Sequence, residues 1–343
     1  MRYVCRFFFI LLWAFCLNIQ AQAPFRAMFY NVENLFDCQH DTLKDDKEFL
    51  ADSQRRWTKT RYWKKLNALT KVVAAVAEEQ LPDLIGVCEV ENDTVLRDWT
   101  RRSAMRSLGY RYVMTESPDL RGIDVGLLYQ PGSFKVLEHC EIKVNLSELM
   151  SRPTRNVLYV KGRLRDNDTL HVLICHLPSR LGKRRESEYR RKVAAQVVRQ
   201  VVDSVRVSQP MARMLVMGDF NAEMGDEIFE KEILSVVSTS ENGNYLHESL
   251  PLFYEPTMTC KENKDVKGTY RYRGIWESID HIFVSPSLCE RVVGDNQIIA
   301  FPFMCETEQK YGGIRPFRTY QGPIYKGGYS DHFPIVVDFE FDE

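Results

Sequence analysis

The sequence of 343 residues has no excess of charge of either sign, since 46 Lys and Arg stand against 47 Asp and Glu. This balance excludes a protein that coats nucleic acid through a strong positive field. Internal repeats, low-complexity tracts and Pro/Gly/Ser linkers are also missing. With 44% hydrophobic and 27% charged residues, the composition is that of a globular protein and excludes disordered, collagen-like and coiled-coil classes.

Long hydrophobic runs are missing as well. The apolar run at residues 7–17 has 11 residues, whereas a membrane span needs about 20. It follows Arg2 and Arg6 and precedes Ala21-Gln22-Ala23, which is the pattern of a secretory signal peptide. A membrane anchor or a buried first helix is the alternative. We predict a signal peptide at residues 1–23, a secreted or periplasmic protein without a membrane span, and a mature charge of about −3.

The nine cysteines include no CxxC pair, which argues against a zinc site of the usual spacing. Seven remain after the signal, so at least one thiol of a monomer is unpaired, and a disulfide among the others stays open. Cys88 and Cys175 lie inside apolar runs, and we expect them to be buried.

Residues 24–343 are predicted to form a single domain rich in strands. Short apolar runs predict strands at residues 26–32, 83–90, 124–129, 157–164, 169–177, 214–220, 280–285 and 334–339. Apolar periodicity predicts helices at 63–79 and 186–207, and more weakly at 94–108 before Gly109. The helices are too few for a βαβ repeat, which favours two packed sheets with helices outside. Residues 221–278 and 286–329 are interpreted as long surface loops.

Polar residues stand repeatedly at the ends of the predicted strands. They are Asn31, Glu89, His176, Asp219, Asn221, Asp280, Asp331 and His332. Polar side chains beside apolar strands need partners or water, so we expect this set to converge on one rim of the sandwich. A lone Glu89 or His176 is more often a solvated strand end or a structural histidine. The runs 218–221 and 330–334 are stronger signals, because each places two polar groups together beside a strand.

This set of motifs resembles the endonuclease/exonuclease/phosphatase superfamily, which includes pancreatic-type deoxyribonucleases, abasic-site endonucleases, neutral sphingomyelinases and inositol-polyphosphate 5-phosphatases. The motifs occur in the family's order and cover almost the whole mature chain. The runs Asn31-Val32-Glu33-Asn34-Leu35-Phe36-Asp37 and His176-Leu177-Pro178-Ser179-Arg180 resemble its secreted bacterial branch. The resemblance implies a four-layered α/β sandwich with two mostly antiparallel sheets packed face to face and helices outside.

The resemblance also implies a divalent cation, Mg²⁺ or Mn²⁺. Glu89 is the implied direct ligand, with Asn31 and Asp331 beside it, and carboxylate and amide oxygens suit such a hard ion. Asp219 is implied to orient or deprotonate the attacking water, and Asn221 to hold a phosphate oxygen.

Two histidines and their supports complete the implied catalytic set. His332 contacts the phosphate or assists the leaving group, Asp280 fixes its tautomer, and His176 donates to the phosphate. Asp124 either supports His176 or only begins a strand. His281 is interpreted as structural, because it points to the opposite face from Asp280.

Three arginines are candidate substrate ligands. Arg180 follows His176 by four residues and belongs to a basic cluster. The alternative interpretation of this cluster is the solvated start of a helix. Arg315 and Arg318 lie in an aromatic and basic loop that either grips substrate or is simply packed. A guanidinium fork binds phosphate in a bidentate manner, which makes the three arginines candidates, and both readings stay open at each position.

We therefore expect a secreted, metal-dependent phosphoesterase, and first a nuclease-like phosphodiesterase using in-line attack by water. The alternatives are phospholipase C-like activity, an inositol-phosphate phosphatase, and a non-catalytic binding protein on the same scaffold. The last would be expected to lack site residues, and none is missing. The partner is a phosphate ester, with nucleic acid as one option, and the protein is expected to be a monomer.

Overall fold

The computed structural model describes residues 24–77, 80–146, 152–180, 182–233, 253–256 and 258–341. The predicted signal peptide at residues 1–23 lies outside these ranges and stays a prediction. None of the helices within them is long and apolar enough to cross a membrane.

Most of the strands fall where the apolar runs predict them. They are β1 (Phe25–Leu35), β2 (Leu84–Val90), β3 (Arg111–Met114), β4 (Asp124–Tyr129), β5 (Lys135–Ile142), β6 (Val157–Arg163), β7 (Thr169–His176), β8 (Arg213–Asp219), β9 (Met258–Thr259), β10 (Tyr270–Tyr272), β11 (Ile275–Glu277), β12 (Asp280–Val284), β13 (Val292–Ile298), β14 (Cys305–Thr307), β15 (Ile314–Pro316), β16 (Tyr320–Gln321), β17 (Ile324–Tyr325) and β18 (Ile335–Phe339). All eight predicted strands are present, with ends shifted by at most a few residues.

The helices are α1 (Lys59–Val76), α2 (Asp93–Arg102), α3 (Arg184–Ser208) and α4 (Pro286–Cys289). Short helical turns lie at Lys47–Phe49, Ala104–Leu108, Phe229–Ile233 and Pro302–Met304. Side-chain caps explain two of the starts, because Thr58 accepts from the amide of Arg61 and Asn92 from that of Val95. The predicted helix at 94–108 is instead α2 followed by a 3-10 turn, which ends at Gly109 with a φ of 76°.

Two large sheets form the centre of the fold. The first has the order β3-β4-β2-β1-β18-β13-β9, and only its β1–β2 and β9–β13 pairs are parallel. The second has the order β12-β8-β7-β6-β5, and only β7–β8 is parallel. Both sheets are therefore mostly antiparallel, as predicted.

The sheets pack face to face at a point where β2 carries glycine. A Cβ on Gly86 would lie 2.9 Å from Cδ1 of Ile174 in β7 and 3.3 Å from Cε of Met217 in β8. A Cβ at this position would require the ends of the Ile174 and Met217 side chains to shift, so glycine lets the two sheets pack closely here.

Helices cover both outer faces. Leu66, Leu69 and Val73 of α1 pack into the core that contains the seven-stranded sheet. Ala195 and Val198 of α3 pack into a second core with residues of β7 and β8. Helix, sheet, sheet and helix are the four layers of the predicted α/β sandwich.

The prediction of two long irregular loops is wrong in part. Within 286–329, β13 adds to the seven-stranded sheet beside β18, and β14–β15 and β16–β17 form hairpins. Within 221–278, β9 and the β10–β11 hairpin are regular. β13 lacks an apolar run because its middle residues, 293–295, are exposed and its pairing with β18 is irregular there. β5 was missed because it is an edge strand with mostly exposed side chains.

The described cysteines are all free. Cys88 and Cys175 are fully buried, as predicted, and burial raises the pKa of both thiols.

Candidate active site

Three adjacent strands of the five-stranded sheet end at the same rim. The register pairs His176 of β7 with Asp219 of β8, and Asp219 with Asp280 of β12. Residues paired across neighbouring strands project from the same face, so the three side chains stand in a row. This arrangement confirms the sequence-based expectation for these three residues.

The seven-stranded sheet and the chain beside it contribute the other residues of the site. Asn31 lies in β1 where its pairing with β2 becomes irregular, Glu89 lies at a bulge in β2, and His332 precedes β18. The side-chain hydroxyl of Ser330 donates to the Asn31 carbonyl at 2.6 Å and accepts from the His332 amide at 3.1 Å. These bonds fix the chain before β18 against β1.

Unusual backbone angles mark the site. Glu89 has a φ of 63° and Asn221 a φ of 50°, and Glu33 and Asn34 also have positive φ. Residues other than glycine rarely adopt this region, and the conformation costs about 1–3 kcal/mol at each position. The fold holds these residues there, and the bulges direct their side chains toward the rim.

Asp219 is the centre of the polar cluster. Its Oδ2 accepts from Asn31 Nδ2 at 3.0 Å and lies 3.6 Å from His176 Nε2 and 4.0 Å from His332 Nε2. Its Oδ1 accepts from the amide of Asn221 at 2.9 Å. One buried carboxylate therefore faces two imidazoles and an amide.

The titration of these groups is strongly shifted. Burial and the neighbouring charge of Asp280 raise the pKa of Asp219 to about 7. Burial would lower the pKa of His332, but the carboxylates of Asp280, Asp219 and Asp331 raise it to about 10. The shifts favour the imidazolium form of His332 and a more basic carboxylate at Asp219 than an exposed aspartate has.

His176 differs from His332. It is buried, and burial with the nearby positive charges of Arg155, Arg121 and His332 lowers its pKa, so it is neutral. Its Nδ1 has no hydrogen-bond partner among the described residues.

The carboxylate of Asp124 does not supply the missing partner. Its Oδ1 accepts from the hydroxyls of Thr115 and Ser117 and from the Ser117 amide. Asp124 therefore fixes the chain that leads into β4, and the alternative that it only begins a strand is correct.

His281 lies on the other face of β12, as expected. Its Nδ1 contacts Glu255 Oε1 at 2.7 Å, and its Nε2 contacts the Ala222 carbonyl at 2.9 Å. The residue is fully buried, and its described hydrogen bonds go to Glu255 and Ala222 rather than to the rim cluster.

Two places could receive a cation. One ligand atom each of Asp219, Asp280 and His332 lies within 4.8 Å of the others. However, His332 Nδ1 and Asp280 Oδ2 are already hydrogen-bonded at 2.7 Å, so this trio is better suited to holding protons.

The carboxylate of Glu89 fits a metal better. Its Oε2 accepts from the Asn34 amide at 2.9 Å and lies 3.9 Å from Arg121, while no described residue donates to its Oε1. Mg²⁺ keeps several waters and binds one or two carboxylates, which suits a carboxylate whose second oxygen has no donor among the described residues.

Asp331 belongs to a network that the sequence did not reveal. Its Oδ2 accepts from Arg318 at 2.7 Å, and Arg318 Nε donates to Glu33 at 3.3 Å. The other oxygen of Glu33 accepts from the Thr319 amide at 2.6 Å, and the buried Lys65 lies 3.9 Å from it. The charges of Glu33, Asp331 and Glu89 all favour the protonated form of Lys65.

Burial lowers the pKa of Lys65 to about 8 in spite of these carboxylates. The sequence signal for Glu33 was its place two residues after Asn31, but nothing in the sequence singles out Lys65.

The structure places the three candidate arginines differently. Arg180 Nε donates to the carbonyl of Asn221 at 2.9 Å, so Arg180 lies at the rim, and its Nη1 donates to Glu277. Arg318 reaches the site through Asp331. Arg315 instead donates to Glu306, Glu308 and Gln321, and none of its described hydrogen bonds reaches the other site residues.

Solved structures with this fold cover almost the whole chain. A Bacteroides thetaiotaomicron protein described as an endonuclease/exonuclease/phosphatase family member is 15% identical, with a TM-score of 0.58 over 93% of this chain and 99% of that one. A mannosyl-6-phosphatase from the same species is 14% identical, with a TM-score of 0.57 over 92% and 100%. A truncated Caenorhabditis elegans TDP2 is 16% identical, with a TM-score of 0.53 over 92% and 98%. At such identities these structures show the fold.

No curated protein matches the sequence. The family itself is shown by a sequence profile described as Endonuclease/Exonuclease/phosphatase family, which matches residues 26–340. The expected enzyme class, a metal-dependent hydrolase of phosphate esters, agrees with this match. The chain belongs to the endonuclease/exonuclease/phosphatase family.

Proposed function

We propose that the protein is a secreted phosphodiesterase that depends on Mg²⁺ or Mn²⁺ and hydrolyses its substrate by in-line attack of water. The observation that carries the proposal is the position of Asp219, a buried carboxylate within 4.0 Å of two imidazoles whose pKa values are shifted in opposite directions. Titratable groups with diverging pKa values are typical of acid and base catalysts.

The residues have distinct roles in this proposal. Asp219 accepts a proton from the attacking water. Nε2 of the His332 imidazolium lies 3.5 Å from the side-chain nitrogen of Asn31, and the two N–H donors together bind the phosphate oxygens. His176 is a neutral third donor, and Asn221 holds a phosphate oxygen at the other side of Asp219.

The metal would be held by Glu89, with Asn31 and Asp331 beside it. When bound, the ion would withdraw charge from a phosphate oxygen and stabilise the leaving oxygen. Asp331 is suited to this role because Arg318, His332 and Lys65 lower its pKa against the effect of burial and keep it ionised.

The second candidate is a phosphomonoesterase that acts on lipid or inositol phosphates, beside phospholipase C-like activity on a phosphodiester lipid. The observation in its favour is the similarity to a structure named mannosyl-6-phosphatase, which covers 92% of this chain. Duplex DNA is disfavoured among diesters, since the mature chain has a net charge of about −3 and duplex affinity comes mostly from cationic contacts.

A substrate panel tests the proposal. Bis(4-nitrophenyl) phosphate, 4-nitrophenyl phosphate, plasmid DNA, RNA, sphingomyelin, inositol phosphates and mannose 6-phosphate are each incubated with Mg²⁺, Mn²⁺ or EDTA. Asp219→Asn serves as the blank for contaminating activity. Diester hydrolysis that requires metal and Asp219 supports the proposal, hydrolysis of monoesters alone replaces it with the second candidate, and no hydrolysis at all rejects both.

Secretion has its own support and test. The basic start, the apolar run and Ala21-Gln22-Ala23 support a signal peptide. Expression of the full chain in a bacterium should give a product in the periplasm or medium whose mass corresponds to loss of about the first 23 residues. An uncleaved product in the cytoplasm would reject it.

A further inference from the structure

A buried arginine two residues before β6 contacts the end of β7 that carries His176. Arg155 is 7% exposed, and each of its three guanidinium nitrogens donates a hydrogen bond. Nε donates to the His176 carbonyl at 3.2 Å, Nη2 to the Leu177 carbonyl at 2.8 Å, and Nη1 to Asp119 Oδ2 at 3.3 Å. A buried charge is tolerated only when it is paired and hydrogen-bonded, which is the case here.

These two carbonyls lie beyond the ladder that joins β6 to β7. The last paired residues are Leu158 and Ile174, so β6 offers no amide to the carbonyls of His176 and Leu177. Arg155 therefore takes over from the strand as their hydrogen-bond donor. The position of the His176 backbone depends on this one side chain on the β6 side.

The Leu177 carbonyl connects Arg155 to a second site residue. It also accepts from Asn221 Nδ2 at 3.0 Å, so its two lone pairs are filled by Arg155 and Asn221. This contact fixes which way the Asn221 amide faces.

Asp119 connects Arg155 to the metal side of the rim. The side chain of Asp119 is 7% exposed, and its Oδ1 accepts from the amide of Arg121 at 2.9 Å. Arg121 in turn lies 3.9 Å from Glu89 Oε2 and donates to Asn34 at 2.6 Å.

We propose that Arg155 is a positioning residue for phosphoester hydrolysis, which sets the places of His176 and Asn221 relative to Glu89. The inference rests on the proposed function. The role requires arginine at position 155. Its planar guanidinium reaches three acceptors that lie in different directions, and a lysine ammonium cannot bridge them with the same geometry. A misplacement of about 1 Å in an active site can cost about 100-fold in rate.

The test compares Arg155→Lys with Arg26→Lys. Arg26 is a matched control, because it is an equally buried arginine paired with Asp338 at 2.7 Å and lies near the start of β1, five residues before Asn31. We expect Arg155→Lys to lower kcat about 10- to 100-fold with little change in KM, and Arg26→Lys to lower Tm comparably while keeping kcat. Wild-type kcat in a folded Arg155→Lys, or an equal loss of kcat in both variants, would overturn the proposal.

A second measurement does not need activity. The ring resonances of His176 in NMR spectra should shift in Arg155→Lys and stay in place in Arg26→Lys. If the substrate panel finds no activity, this comparison still decides whether Arg155 positions His176, so the two failures are distinguishable. Unchanged His176 resonances in Arg155→Lys would reject the positioning role.

Discussion

The carboxylate of Asp280 lies 2.7 Å from Nδ1 of His332, and this hydrogen bond joins the two sheets of the sandwich. Asp280 begins β12 of the five-stranded sheet, whereas His332 precedes β18 of the seven-stranded sheet. The bond holds Nε2 of His332 toward Asp219 and stabilises the charged imidazole.

Asp280→Asn should therefore impair His332 without disturbing its place. The pKa of His332 falls because its largest stabilising charge is removed, and an imidazole in place of an imidazolium binds a phosphate oxygen less strongly. We expect kcat to fall by about 10²–10⁴-fold with a smaller change in KM. An NMR titration of His332 gives an independent check, and an unchanged His332 pKa would contradict the assignment.

Asp219→Asn tests the proposed base. The amide retains the shape of the side chain and an acceptor for the Asn31 amide, but it cannot accept a proton from water. We expect kcat to fall by about 10²–10⁴-fold while KM is nearly kept. Steady-state kinetics on the best substrate of the panel measure this, and a variant with wild-type kcat would show that another group activates water.

Removal of metal should abolish hydrolysis. EDTA leaves no divalent ion to offset the charge of the phosphate, and Mg²⁺ or Mn²⁺ should restore activity. Glu89→Gln should weaken Mg²⁺ binding by about tenfold or more, measured by calorimetry on the protein without substrate. Full activity in EDTA, or unchanged Mg²⁺ affinity in the variant, would exclude this site.

Arg180→Ala separates substrate binding from chemistry. If Arg180 grips the substrate phosphate at the rim, KM should rise about 10-fold or more while kcat changes little. Arg184→Ala is the control, because Arg184 belongs to the same basic cluster but is 93% exposed and pairs with Glu188 on its own helix. An equal rise of KM in both variants would point to the general charge of the cluster.

Asp124 predicts a pH dependence of stability. Burial raises its pKa from 3.8 to about 6 against the hydrogen bonds of Ser117 and Thr115. Because its pKa is higher in the folded than in the unfolded protein, Asp124 contributes to the free energy of unfolding when it is protonated. This contribution is complete below the pKa of the unfolded chain and is lost as pH rises through about 6. We compare the free energies of unfolding of Asp124→Asn and wild type by urea unfolding at pH 4 and pH 8. The difference in favour of the variant should be larger at pH 8 than at pH 4 by up to about 3 kcal/mol. A constant difference between the two proteins would contradict this.

The sequence predicted the central strands and the residues at their ends because both leave local signals. The run from Met214 to Asn221 shows a buried strand and its polar end together, and the register then places Asp219 between His176 and Asp280. Lys65, Arg155 and Thr319 left no such signal, since their roles arise only from contacts between distant segments. The sequence predicts Arg318 as a substrate ligand, but its hydrogen bond to Glu33 joins residues 285 positions apart and leaves no local signal.

The close approach at Gly86 has a consequence for how this enzyme would lose activity. One sheet brings Asn31, Glu89 and His332 and the other brings His176, Asp219 and Asp280, so the mutual alignment of two rigid plates is itself a catalytic requirement. A displacement of one sheet relative to the other by a fraction of a bond length would leave every strand intact but separate the hydrogen-bonded side chains at the rim. Mild denaturant or Gly86→Ala should therefore reduce hydrolysis under conditions where circular dichroism shows no loss of secondary structure.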